Sequence, residues 1–189
     1  MLATTIETLP AVDVLSRAQA GDHTAFAGIV REHQSLVFSI ACHYVRDRAT
    51  AEELAQEVFL HLFRNLGAIE SPQHLLNWLR RVTVQRSIDQ TRRARYRPKS
   101  GLDSAPEPVA PPEHRDPLMS VMLQKLVGAL PERARAVVVL RYQEDLEPSE
   151  IADILELPVG TVKSSLHRAL GLLRGKLERA GKGVRNESV

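Results

Sequence analysis

Residues 147–173 read EPSEIADILELPVGTVKSSLHRALGLL. Pro148 can open a short helix through Leu155, because a proline in the first turn gives up an amide that has no helical partner anyway. Leu157, Pro158, Val159 and Gly160 then form a tight break. A longer helix is expected from about Thr161. Val162, Leu166, Leu170 and Leu173 fall on one face of it and would pack on Ile151, Ala152 and Leu155. Lys163, Ser164, His167, Arg168 and Arg174 fall on the other face. A short helix, a short turn and a longer helix make the layout of a helix-turn-helix. A helix that enters a DNA groove needs this division, with one face for the core and one for base edges and phosphates. A plain helical hairpin with a solvated basic face has the same pattern, so on these residues alone both readings stand.

Helical spacing continues upstream. Leu118–Leu130 reads as one helix, and Pro131 suits the first turn of the next, which runs to about Tyr142. Before these lies a different composition. Pro98, Pro106, Pro108, Pro111, Pro112 and Pro117 punctuate a stretch with few large apolar residues. Proline removes a donor and clashes with the preceding turn, so residues 98–117 read as an extended linker. On its N-terminal side, residues 11–20 form a first helix ended by Gly21. Asp22 caps a second, whose apolar face carries Phe26, Ile29, Val30, Val37, Ile40, Ala41 and Tyr44. After a break at Asp47–Ala49, Thr50 and Glu53 match a capping box. That helix turns Leu54, Val58, Leu62 and Leu66 inward and ends at Gly67. A loop over Glu70–Gln73 leads to a helix from about His74, which buries Leu75, Trp78, Leu79 and Val82. The expected fold is all-α, with two small helical domains, 10–97 and 118–180, on either side of the linker. No alternating strand pattern competes with it.

Composition narrows the function. Aromatic residues make up only 4% of the 189-residue chain, so the core must be aliphatic. The formal net charge is only +2, yet the charge is unevenly placed. Arg80, Arg81, Arg86, Arg92, Arg93, Arg95 and Arg97 crowd together, with Asp89 the one acid among them, while Glu52, Glu53 and Glu57 lie upstream. This asymmetry suggests one surface for an anion and another for a different partner. The single cysteine, Cys42, excludes an internal disulfide and a thiolate zinc cluster. Cys42 and His43 point about 100° apart on a helix, which suits neither a metal nor a nucleophile–base pair. There is no Gly-rich phosphate loop and no nucleophile elbow. The N-terminus lacks a signal-peptide pattern, and no apolar run is long enough to span a bilayer. The expectation is a cytoplasmic binding protein without enzymatic activity, cofactor, metal or small-molecule substrate.

Two ordered sets of residues carry a family resemblance. The first is Leu130-Pro131-Glu132-Arg133, Leu140-Arg141-Tyr142, Glu144-Asp145-Leu146, Glu150-Ile151-Ala152, Pro158 to Ser164, and Leu166-His167-Arg168-Ala169. The second is Ala20-Gly21-Asp22, Ala25-Phe26, His33-Gln34, Ala51 to Leu60, Trp78 to Val82, and Asp89 to Arg93. They resemble regions four and two of the sigma-70 family of bacterial RNA polymerase specificity subunits, in the extracytoplasmic-function (ECF) branch. Two independent matches in the family's order cover nearly the whole chain outside the linker and termini.

The resemblance implies partners and roles. Region four reads the −35 promoter element through the major groove, which places Lys163, Ser164, His167 and Arg168 at DNA. Ser165 stands where the family commonly has arginine. Region two docks on core RNA polymerase, with Glu53, Gln56 and Glu57 as contacts, since carboxylates suit a basic partner helix. It also reads the −10 element from a base flipped out of the melted strand. Ser71, Gln73, His74, Arg80, Arg81, Gln85, Arg92 and Arg93 are the residues implied there, the arginines holding phosphates. Gln85 stands where the family often has Asn, and the 70–74 loop lacks the family's frequent Phe-Arg start. An anti-sigma factor is the implied regulator. A two-component response regulator would need a receiver domain with parallel strands, and a zinc-binding anti-sigma protein would need paired cysteines. Neither pattern is present.

Overall fold

The computed structural model describes residues 11–45, 47–96 and 117–186. Their regular elements are all helical. The N-terminal group is α1 (Ala11–Gln19), α2 (His23–Cys42), α3 (Arg48–Asn65), a 3-10 turn (Leu66–Ala68) and α4 (Pro72–Tyr96). The C-terminal group is α5 (Pro117–Gly128), α6 (Glu132–Tyr142), α7 (Pro148–Leu155) and α8 (Val159–Asn186). The expected all-α architecture is the observed one. Apart from Pro117, which opens α5, the expected linker 98–117 lies outside the described residues, as do Pro10 and Arg97.

Helix ends follow local chemistry. Gly21 adopts φ +94°, which costs a glycine nothing. The Asp22 amide then reaches back to the Arg17 carbonyl, and the Gly21 amide to Ala18, so the free carbonyls of α1 are satisfied. The Asp22 carboxylate accepts from the Thr24 and Ala25 amides and opens α2. The Arg17 guanidinium, 2.6 Å away, holds that carboxyl below its usual range.

Three boundaries differ from expectation. Helix α3 is capped by Asp47 and not by Thr50: the Asp47 Oδ1 accepts from the Thr50 amide at 2.7 Å. A charged acceptor makes the stronger cap, so the helix starts earlier. Ser71 does the same for α4, its Oγ accepting from the His74 amide at 3.1 Å, with Pro72 in the first turn. Helix α8 begins at Val159, inside the expected break, and continues to Asn186, past the expected end near Ala180.

The first core lies between α2, α3 and α4. Val37, Val58, Leu62 and Leu79 are completely enclosed there, and Leu54, Leu66, Leu75 and Val82 join them. Leu79→Ala is expected to cost about 2–5 kcal/mol, the range for a large-to-small change in a sealed core. Urea denaturation followed by circular dichroism measures it.

The second core joins the two groups. Val137, Leu140, Ile151 and Val162 are fully buried, and they share a cluster with Ile40, Tyr44 and Val84 from the N-terminal helices. The Arg135 guanidinium, itself buried, lies 5.3 Å from the Tyr44 ring centre. The Gln143 side chain donates to Ser39 Oγ at 3.0 Å and pairs with His43 Nε2 at 3.1 Å. Helix α4 is therefore covered along part of its length by the C-terminal group, chiefly by α7.

Candidate functional site

On α8, the four residues expected at DNA stand together and exposed. Val162 and Ala169 are sealed into the core, which turns Lys163, Ser164, His167 and Arg168 to the outside. Ser164 Oγ donates to the Thr161 carbonyl at 3.1 Å. The Arg168 guanidinium donates to the Ser164 carbonyl and to its Oγ at 3.2 and 3.1 Å, so its fork is held against the helix. Leu170 departs from the expected inward face: it is 42% exposed, and Ala169 fills the buried position. A straight helix advances 100° per residue, so a four-step apolar row drifts off the contact line and a small residue takes its place.

The turn before α8 carries a feature invisible in the sequence. Glu156 adopts the left-handed conformation at φ 53°, which costs a non-glycine residue about 1 kcal/mol or more. Its backbone ends α7, and the Leu157 amide donates to the Ala152 carbonyl at 2.9 Å. Its carboxylate meets Arg81.

On α3, Glu53, Gln56 and Glu57 are all exposed, as a docking surface requires. Glu53 and Glu57 border a small polar cleft shared with Arg86, Asp89 and Arg93 of α4. Gln56 borders a larger apolar groove of about 780 Å³ between α2 and α3, lined by Phe26, Val30, Phe38, Phe59, Leu60 and Phe63. Leu60 is 57% and Phe63 48% exposed. Sequence reasoning missed these two, although their register, offset from Leu54, Val58 and Leu62, places them off the core face.

The residues expected at the −10 element divide into groups along α4, whose 25 residues extend about 37 Å. Ser71 and His74 are engaged in local structure: Ser71 caps the helix, and His74 Nδ1 accepts from the Glu70 amide at 3.2 Å. Gln73, Gln85 and Arg93 are exposed. The other three arginines face the C-terminal group. Arg80, 8% exposed, donates to Glu144 at 3.3 Å. Arg81 pairs with Glu156, and Arg92 with Glu132 at 2.5 Å. Trp78 is half-buried against the first core and stacks on His61, with ring centres 5.4 Å apart.

Other titratable groups have packing roles. Burial lowers the affinity of His43 for a proton, and the Gln143 contact partly offsets this. Cys42 is half-buried, and desolvation pushes its thiol up to about 11. At pH 8 its thiolate fraction is expected to be over 100-fold below that of an ordinary thiol near 8.5, which slows alkylation in proportion. Iodoacetamide labelling followed by mass spectrometry checks this; fast labelling at pH 8 contradicts it. Among the described residues, no three histidine, cysteine or carboxylate side chains are grouped to hold a metal, and no helix is long and apolar enough to cross a membrane.

The described residues form a helical protein with an exposed polar face on α8 and, on α3, exposed acidic side chains beside an apolar groove. Residues 29–97 match the sigma-70 region 2 family, and residues 120–173 match sigma-70 region 4. The ECF RNA polymerase sigma factor SigW of Bacillus subtilis is 30% identical over 178 residues, covering 86% of this chain and 94% of SigW. Two solved structures share the fold. CnrH, determined with the cytosolic domain of CnrY, aligns with TM-score 0.68 at 20% identity over 90% of this chain and 99% of CnrH. The sigma factor RpoE of Bartonella quintana, determined with the anti-sigma factor NepR, aligns with TM-score 0.65 at 20% identity over 81% of this chain and 96% of RpoE. The chain belongs to the sigma-70 family, as an ECF RNA polymerase sigma factor.

Proposed function

We propose that this chain binds core RNA polymerase and directs it to promoters, acting in the cytoplasm by binding and not by catalysis. Residues 10–97 form the unit for the polymerase and the −10 element. Residues 118–180 form the unit for the −35 element, and residues 98–117 tether the two. Lys163, Ser164, His167 and Arg168 contact the −35 major groove. Glu53, Gln56 and Glu57 contact the polymerase. Ser71, Gln73, His74 and Gln85 lie at the −10 bases, and Arg80, Arg81, Arg92 and Arg93 hold the melted strand. The observation that carries this reading is the common exposure of the four α8 residues on a helix whose opposite side is sealed by Val162 and Ala169. That is the division a groove-reading helix needs.

Tethering explains why two modest readers suffice, since each contact raises the effective concentration of the other. An anti-sigma factor controls the chain by covering the polymerase-docking faces; the fold likeness to RpoE, which was determined with NepR, supports this. Run-off transcription from a promoter library, with core polymerase and with or without this chain, tests the proposal. Transcripts from a defined subset of promoters, only when the chain is present, are the expected result. Transcription unchanged by the chain on every template overturns it.

A further inference from the structure

Helix α8 is longer than its own packing requires. Val162, Leu166, Ala169 and Leu173 pack into the C-terminal group, yet the helix runs on to Asn186. Leu170 and Leu177 are seven residues apart, so they share a face and lie about 10 Å from each other along the axis. They are 42% and 39% exposed. Arg174 and Arg179 are exposed beside them. An apolar row with basic flanks is what a helix needs to lie in an apolar groove with acidic borders.

The groove between α2 and α3 has that character. Phe26, Val30, Gln34 and Phe38 line one wall at four-residue steps, which makes the wall about 18 Å long. Phe59, Leu60 and Phe63 supply the other wall. Phe63 meets Phe26 edge-on, with ring centres 5.1 Å apart, so the aromatic end of the groove is already formed. The volume is about 780 Å³. A ten-residue helix about 10 Å across fills roughly 1,200 Å³, so the groove takes one face of such a helix.

The two faces are complementary in charge. Residues 48–57 of α3 carry Arg48 against Glu52, Glu53 and Glu57, a net of two negative charges. Residues 170–179 of α8 carry Arg174, Lys176 and Arg179 against Glu178, a net of two positive charges. No residue of α4 lines the groove, whereas the C-terminal group packs on the N-terminal one chiefly through α4. The α8 that reaches the groove therefore comes from another copy.

We propose that α8 of one copy docks in the α2–α3 groove of a second copy, with Leu170 and Leu177 on Leu60 and Phe63 and with Arg174 and Arg179 toward the α3 carboxylates. The contact joins two different surfaces, so each copy offers both a groove and a helix. Gln56 borders the groove, so the associated chain has that side chain covered. Only this consequence rests on the assignment of Gln56 to the polymerase; the association itself does not.

The test uses three full chains: wild type, Leu60→Glu and Leu177→Glu. Leu60 is 57% exposed and Leu177 39%, so both variants keep their cores, and circular dichroism confirms that they fold. Sedimentation equilibrium from about 1 to 100 µM brackets the affinity of an interface this small. The wild-type mass is expected to rise with concentration from the 21.0 kDa of one chain to at least twice that value. Each variant alone is expected to stay a single chain. An equimolar mixture of the two is expected to associate again, because Leu60→Glu retains an intact helix and Leu177→Glu an intact groove. Wild type that stays a single chain at every concentration overturns the proposal. Association by Leu177→Glu alone overturns it, since two grooves then meet, and association by Leu60→Glu alone does so because two helices then meet. A mixture that stays dissociated while wild type associates also overturns it.

Discussion

A chain carrying Gln56→Lys and Glu57→Lys is expected to lose association with core RNA polymerase while keeping its fold. Both side chains are exposed on α3, so lysine is accommodated without repacking. The neighbouring Val58 and Leu62 are fully enclosed and unchanged. The charge on this face shifts by three units, from one carboxylate to two ammonium groups. Like charge against a basic partner helix costs several kcal/mol, enough to reduce affinity by 10²-fold or more, on the order expected for reversed interface charges. Co-elution with purified core polymerase measures the loss, and thermal unfolding measures the fold. Retained binding at wild-type strength would move the docking surface elsewhere, with the groove around Leu60 and Phe63 as the next place to mutate.

Arg168→Ala is expected to reduce promoter-specific transcription about 10- to 100-fold, equivalent to about 1–3 kcal/mol for the loss of a good bidentate base contact. Core binding should stay within twofold of wild type. Arg168 is exposed, and its only hydrogen bonds are to Ser164 one turn earlier on the same helix, so its removal leaves the core intact. Run-off transcription on one strong promoter gives the first quantity, and titration of core polymerase gives the second. If both fall together, the division of labour between α3 and α8 is wrong.

These outcomes were legible in the sequence to different degrees. The exposed polar face of α8 was the most legible. An amphipathic helix bounded by a proline-containing break exposes its polar residues wherever it docks, and the register of Val162 against Lys163, Ser164, His167 and Arg168 is set by the 3.6-residue repeat. Helix starts were less legible, because Asp47 and Thr50, or Ser71 and His74, each offer a reasonable beginning. The choice depends on which acceptor the backbone presents to the free amides. Leu60 and Phe63 were not singled out, although their register, offset from Leu54, Val58 and Leu62, leaves them off the buried face of α3.

The sequence by itself determined the class of the fold, the two helical groups, the family and the polar face of α8, since each rests on short-range spacing or ordered motifs. Tertiary structure decided which arginines are free. Arg80, Arg81, Arg92 and Arg93 look alike in a basic run, yet three are paired with carboxylates 40 to 75 residues away and Arg93 is exposed. Helical periodicity places a charge on a face, but only packing between distant segments determines what that face meets.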